Sequence, residues 1–264
     1  MTRKQETMEA VIAMVAGDLG KEMEKYPLRF ATSAYFGAPP HPKSELVVSS
    51  GSASLVRLNN KPYVVTCSHV LQGYRKRLED DSECIFQIGD CKLDPLGQLV
   101  DESSTLDVAV IGLTEQQVQE VASVKSPFGS HFVEPPEWPP EPVVEGDFVA
   151  FGGFPGELRK AMSFRELSFG SYSSGASRAT SAGDTYIVCQ FERDRWVKHG
   201  YEPEPSTIRG MSGGPAFALR QRTGAGIMTY EFIGHIYEFS ETFELLYIRL
   251  ATVIDGGGRI LRLT

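Results

Sequence analysis

The sequence predicts an all-β protein, folded as barrels or a sandwich, and three observations carry that prediction. Short runs rich in Val, Ile, Tyr, Phe and Thr recur along most of the chain, separated by Gly, Pro, Asn and Ser. Long helical patterns do not alternate with those runs, so parallel βαβ units are not expected. The 264 residues, 41% of them hydrophobic, are enough for one large or two small β domains with a proper core.

The elements follow in order. Residues 6–25 read as an amphipathic helix, because Met8, Val11, Ile12, Val15, Leu19 and Met23 recur at spacings of three and four. This N-terminal extension, residues 1–26, is expected to bury its apolar stripe on the first β unit; docking a regulatory protein partner is the alternative. Residues 29–36 form a strand ended by Gly37, Pro39 and Pro40. Residues 52–58 and 62–66 form a hairpin around Asn59-Asn60, since asparagine tolerates the positive φ of a tight hairpin turn. The hairpin delivers His69 to a loop or short helical turn, and residues 73–82 read as a charged, solvated loop. Strands at 84–88 and 106–113 complete the first unit, residues 27–126, with Asp107 where the last strand enters the interior.

Residues 127–142 contain Pro127, Pro135, Pro136, Pro139, Pro140 and Pro142 and read as a stiff strap between two halves. The second unit, residues 143–264, supplies strands at 147–154, 165–169, 186–191, 215–219, 232–239 and 244–250. Gly152-Gly153-Phe154-Pro155-Gly156 reads as a turn, lacking the Lys and following helix of a phosphate loop. Gly256-Gly257-Gly258 is a terminal turn.

Composition narrows the function. The net charge of -8 argues against a surface that neutralises phosphates, so nucleic acid is not an expected partner. No apolar run reaches the length of a membrane span, and Glu9, Asp18, Lys21 and Glu22 interrupt the segment where a secretory leader would need an apolar core. The spacings of Cys67, Cys84, Cys91 and Cys189 fit neither C-x-x-C metal pairs nor a disulfide framework. Reduced, mostly buried thiols in a cytoplasmic protein are the reading, with one bridge between Cys84 and Cys91 left open. Neither a metal nor an organic cofactor is expected.

The chemistry centres on Gly210-Met211-Ser212-Gly213-Gly214-Pro215, where glycines let the backbone turn tightly under an exposed hydroxyl. A serine nucleophile needs a base, a group that orients the base, and donors for the oxyanion. His69 ends the apolar run from Tyr63, and Asp107 opens Asp107-Val108-Ala109-Val110-Ile111. Singly, these are a turn serine, a strand-end histidine and a strand cap. The order His69, Asp107, Ser212, set in T-x-x-H-V, D-V-A-V and G-x-S-G-G-P blocks, resembles the trypsin-like serine peptidases of chymotrypsin fold, most closely their bacterial HtrA-like branch.

That resemblance implies two barrels of six antiparallel strands each, with His69 and Asp107 on the first and Ser212 on the second. It implies a serine endopeptidase acting on protein or peptide substrates, with backbone amides of Gly210 and Ser212 as the oxyanion hole. It places Ser206 at the floor of the primary pocket and Tyr237 and Glu238 along its wall. Met211 stands where zymogen-activated members carry an aspartate, so activation by a cut N-terminus is not expected. Val70 follows His69 where secreted members place a bridged cysteine, and too little chain follows Ser212 for a PDZ domain. The G-x-S-x-G elbow of α/β-hydrolases also fits the serine block, but it needs an acid and then a histidine downstream, and Glu231 is the only carboxylate between Ser212 and its one downstream histidine, His235. His41, His131, His199 and His235 carry no comparable block and are read as structural or surface residues. The rival reading is a catalytically silent peptidase-fold module that binds extended peptides by strand addition.

Overall fold

The computed structural model describes residues 17–39, 47–123, 126–191, 205–222 and 227–262. Of the expected N-terminal helix, Asp18–Lys25 forms α1, and residues 6–16 lie outside the described residues. A 3-10 turn, Tyr26–Phe30, follows where a strand was expected to begin. This extension rests on the second unit, not the first. The Tyr26 ring stacks on Tyr230 at 4.2 Å and meets Phe217 edge-on at 5.4 Å, and the Tyr230 hydroxyl donates to the Met23 carbonyl at 3.1 Å. Aromatic burial decides the docking side, and the helical stripe alone does not encode it.

The first unit is a seven-stranded antiparallel sheet in the order β5-β4-β1-β2-β3-β7-β6. Its strands are β1 Ala31–Gly37, β2 Val48–Leu58, β3 Lys61–Thr66, β4 Ile85–Ile88, β5 Cys91–Leu93, β6 Leu99–Ser103 and β7 Val108–Gly112. The β2–β3 hairpin turns through Asn59 and Asn60 at φ 47° and 64°, as the asparagine pair predicts. Where the resemblance implies a six-stranded barrel, this half is an open sheet of seven: the five strands placed from the sequence are joined by β5, which is three residues long, and β6, whose Leu-Val-Asp-Glu-Ser lacks an apolar alternation.

The charged segment at 73–82 is a helix and not a loop: α2 spans Ser68–Asp80 and begins one residue before His69. Val70, Leu71 and Tyr74 fall on its inner face and are buried under the sheet, while the charges that suggested a loop line its outer face. A second helix, α3 Glu115–Ala122, starts from a capping box in which Thr114 and Gln117 satisfy each other's backbone N–H groups.

The proline-rich segment runs between the units and is fastened at both ends. Val133 exchanges hydrogen bonds with β2, donating to the Leu55 carbonyl and accepting from the Arg57 N–H. Trp138 Nε1 donates to the Ile254 carbonyl at 2.9 Å.

The second unit is a closed six-stranded barrel, β11-β12-β15-β14-β13-β8. It is built from β8 Phe148–Gly153, β11 Tyr172–Ala182, β12 Tyr186–Gln190, β13 Pro215–Arg222, β14 Ile227–Ser240 and β15 Leu245–Leu250. A separate hairpin, β9 Arg159–Ser163 with β10 Glu166–Phe169, projects from it. A shared apolar cluster welds the units, with Val56, Val65 and Val108 of the sheet packed against Phe217, Phe232 and Ile254. The mostly-β fold of chymotrypsin type is thus present. All four cysteines are free and buried, so the Cys84–Cys91 bridge does not form. Among the described residues no helix is long and apolar enough to cross a membrane.

Candidate active site

His69 sits in the first turn of α2 with its side chain about half exposed, facing the loop that joins β6 to β7. There Asp107 holds it twice. The His69 backbone N–H donates to Asp107 Oδ1 at 2.9 Å, and the ring Nδ1 lies 2.7 Å from Oδ2. Asp107 adopts φ 51°, a left-handed conformation that aspartate, with its short polar side chain, enters more readily than most non-glycine residues. Burial works to raise the Asp107 carboxyl, but the His69 bonds prevail and hold it below the usual carboxylate range. The carboxylate therefore stays ionised and fixes the proton on Nδ1, leaving Nε2 as the basic face of the ring.

A second carboxylate anchors the helix that carries His69. Glu102, on β6, accepts from Ser68 Oγ at 2.7 Å and from Arg75 through both guanidinium nitrogens, at 2.9 and 2.5 Å. The Arg75 bonds hold the Glu102 carboxyl below its ordinary range against the opposing effect of burial, and Ser68 adds to them. Glu102 stands near the end of β6, the strand that leads into the loop bearing Asp107, so the helix bearing the histidine is tied to the base of that loop.

Ser212 lies on the turn before β13. Gly210 and Gly213 adopt φ 97° and 95°, and Met211 between them is fully buried in the barrel core. A Cβ on Gly213 would come within 2.0 Å of the Ser52 carbonyl oxygen, which requires glycine there. Bonds run from this turn to the first unit. Ser52 N–H donates to the Ser212 carbonyl at 2.9 Å, Ser52 Oγ to the Gly210 carbonyl at 2.9 Å, and Ser54 Oγ to the Gly213 carbonyl at 2.8 Å. On the barrel side, Gly213 N–H donates to Ile236 O at 2.7 Å and Ile236 N–H to Gly214 O at 2.8 Å. Ile236 O also accepts from Cys67 Sγ, two residues before His69, at 3.3 Å. A Cβ placed on Gly51 would touch both Val70, the neighbour of His69, and the Ser212 carbonyl, so the two segments meet across β2.

The amides follow from these anchors. Gly156 N–H holds the Arg209 carbonyl at 2.8 Å, and in a trans peptide the N–H of Gly210 points the opposite way. Among the described residues neither the Gly210 nor the Ser212 N–H has an acceptor within the chain, whereas those of Met211, Gly213 and Gly214 do. His69 and Asp107 are therefore joined directly, while the Ser212 hydroxyl makes no hydrogen bond to His69 or to any other described group.

The pocket residues are dispersed. Ser206 is exposed, donates to Glu157 Oε2 at 2.8 Å, and lines a cavity of about 450 Å³ with Thr207, Arg209, Phe239, Glu241 and Glu244. Tyr237 and Glu238 are not among its walls: Tyr237 lies under Arg249, whose Cζ is 4.3 Å from the ring centroid, and Glu238 is exposed. Cys67, His69 and Asp107 bring donor atoms within 4.8 Å of one another, the geometry a metal would use. Each is already engaged, however: Cys67 donates to Ile236 O, and Nδ1 of His69 is spent on Asp107.

Three contributors were not legible as such. Ser52 lies in the expected strand 52–58 and Glu102 in the stretch between the expected strands 84–88 and 106–113, and neither belongs to a sequence motif. His235, expected to be structural or on the surface, is only 1% exposed and stands behind Asp107, its ring hydrogen-bonded to the Asp107 backbone and its Nε2 without a partner among the described residues. Burial pushes its pKa down to about 4, so it is neutral at ordinary pH. The one signal that could have found Ser52 is the alternation Ser50, Ser52, Ser54 in β2, three hydroxyls on one face of a strand.

A family model described as trypsin-like peptidase domain matches residues 51–227. No curated protein matches the chain. Among solved structures, one titled for the coupled folding and binding of the intrinsically disordered Sesbania mosaic virus VPg protein aligns over 83% of this chain and 85% of its own, at 14% identity and a TM-score of 0.41. A Glu endopeptidase in complex with MPD aligns over 83% and 84%, at 16% identity and a TM-score of 0.41.

Proposed function

The chain belongs to the trypsin-like peptidase family, and from that premise we propose that it is a serine endopeptidase that cleaves peptide bonds through His69, Asp107 and Ser212. The observation that carries this is the pair of hydrogen bonds between His69 and Asp107, which fixes the ring with Nε2 free to accept a proton. His69 takes the proton from Ser212 as its oxygen attacks the peptide carbonyl, and returns it to the leaving amine; water then releases the acyl group by the same path. Asp107 keeps the tautomer and stabilises the imidazolium. The unpaired N–H groups of Gly210 and Ser212 receive the oxyanion, each such donor contributing about 3 kcal/mol. The bond from Ser212 to His69 forms when substrate docks, as catalytic hydrogen bonds tighten in the occupied site.

For the primary pocket we propose the cavity bounded by Ser206, Arg209, Phe239 and Glu241. Within the family we propose the HtrA-like branch, which the three sequence blocks support, and a reducing compartment such as the cytoplasm, which four free thiols suit. A fluorophosphonate probe tests the central claim: it labels the native protein, and Ser212→Ala abolishes both labelling and peptide hydrolysis. Equal labelling of the variant, or none of the folded native chain, overturns the assignment and leaves the peptide-holding module.

A further inference from the structure

We propose that Ser52, on the first unit, is a positioning residue for the oxyanion-binding amides of the second. The proposal rests on the peptidase reading and names a residue through which that site is assembled.

Ser52 is completely buried and uses its donors and acceptors on both sides. Its hydroxyl donates to the Gly210 carbonyl at 2.9 Å and accepts from the Phe154 N–H at 2.8 Å. Its backbone N–H donates to the Ser212 carbonyl at 2.9 Å, and its carbonyl accepts from Thr66 Oγ1 at 2.8 Å. One residue thus pins the carbonyls of Gly210 and of Ser212, which bracket the turn carrying both free amides. Peptide units are planar, so these bonds fix the N–H groups of Met211 and Gly213, the two neighbours of the free Ser212 amide. With Arg209 O held by Gly156 and Gly210 O held by Ser52, both peptides flanking the Gly210 Cα are locked, and its N–H has one direction left.

Glycine at φ 97° has no side chain to resist a peptide flip, so outside restraint must supply the rigidity. The slot is tight: a Cβ on Gly153 would lie 2.9 Å from Ser52 Oγ and 3.4 Å from the Met211 Cα. Losing the hydroxyl leaves the Gly210 carbonyl and the Phe154 N–H buried without their partner.

Ser54 provides a matched control. It is equally buried, two residues along the same face of β2, and its hydroxyl holds the Gly213 carbonyl at 2.8 Å, beyond the free amides. Ser52→Ala removes two side-chain bonds, to the Gly210 carbonyl and from the Phe154 N–H, and Ser54→Ala removes one, and only the first frees the carbonyl of Gly210. The test compares KM for a cleaved peptide with inhibition by the aldehyde of that peptide, whose adduct with Ser212 carries the oxyanion. Ser52→Ala is expected to lower kcat and weaken the aldehyde by about 10- to 100-fold while KM stays within about twofold. Ser54→Ala changes aldehyde and substrate binding in step. Ser52→Gly, which removes the hydroxyl without burying a methyl group, reproduces the selective loss. Equal effects of Ser52→Ala and Ser54→Ala, or aldehyde affinity that follows KM, overturn the proposal.

A native protein that neither cleaves peptides nor takes the fluorophosphonate refutes the peptidase reading alone. Amide NMR then decides the matter for Ser52 without activity. Its loss broadens or splits the Gly210 and Ser212 N–H signals where Ser54→Ala leaves them single, and unchanged signals in Ser52→Ala refute the positioning role.

Discussion

The two units hold their parts of the site by different means. The open sheet places His69 and Asp107 through side chains: a carboxylate gripping an imidazole, and the Glu102, Arg75 and Ser68 cluster tying helix to loop. The closed barrel places Ser212 through backbone, using positive-φ glycines, a buried Met211 and paired backbone hydrogen bonds to β14. A proton acceptor has to be oriented and electrostatically tuned, which charged side chains do well. An oxyanion site has to present bare N–H groups, and a turn from which side chains have been removed does that.

This contrast can be broken at four places, from the largest effect to the smallest. Asp107→Asn removes the charge but keeps the shape and disturbs the tautomer, and kcat for a peptide substrate should fall about 10⁴-fold with KM little altered. A loss under tenfold in steady-state kinetics would show that the first unit's side-chain scheme is not what activates the histidine. Gly213→Ala sets a Cβ 2.0 Å from the Ser52 carbonyl at a φ of 95°, and denaturant unfolding should show more than about 3 kcal/mol of lost stability. Gly112→Ala in the sheet meets Val100 only at 3.4 Å and should stay within about 1 kcal/mol; parity between the two would erase the distinction.

His235 belongs to the barrel but stands behind Asp107, and it makes a prediction about pH. Its folded pKa of about 4 lies below the ordinary histidine value, so the unfolded chain binds the extra proton first. Its contribution is complete above about pH 6.5 and is lost as pH falls towards 4, on the order of 3 kcal/mol across that window. Chemical unfolding of His235→Leu at several pH values should show that part of the slope missing; an unchanged slope would place the sensitivity elsewhere. The mildest change is Glu102→Ala, which frees α2 from the loop bearing Asp107. A roughly tenfold fall in kcat is expected, and no change in kcat would show that α2 is held well enough by packing alone.

Much of this was legible because it is local. Asn59-Asn60 announces its hairpin, and the glycines around Ser212 announce a turn with positive φ, since each residue's own backbone preference decides the outcome. The failures share a cause. Tyr172–Ala182, Y-S-S-G-A-S-R-A-T-S-A, has almost no apolar alternation, yet it is a full strand of the barrel because its neighbours β8 and β12 supply the pairing. The charged segment after His69 looked like a loop because its inner face needs only Val70, Leu71 and Tyr74 to bury it.

The sequence by itself determined that the main architecture is β, and it named the residues to which nucleophile, base and orienter are assigned in the proposed chemistry. Only the tertiary structure decided that Ser52 reaches Gly210 across 158 positions, that Glu102 anchors the helix of His69, and that His235 stands behind Asp107. Reactive groups and turn glycines carry their identity in the residue. A hydroxyl or a buried histidine acquires its role from what the fold sets beside it, and no local pattern records the neighbour.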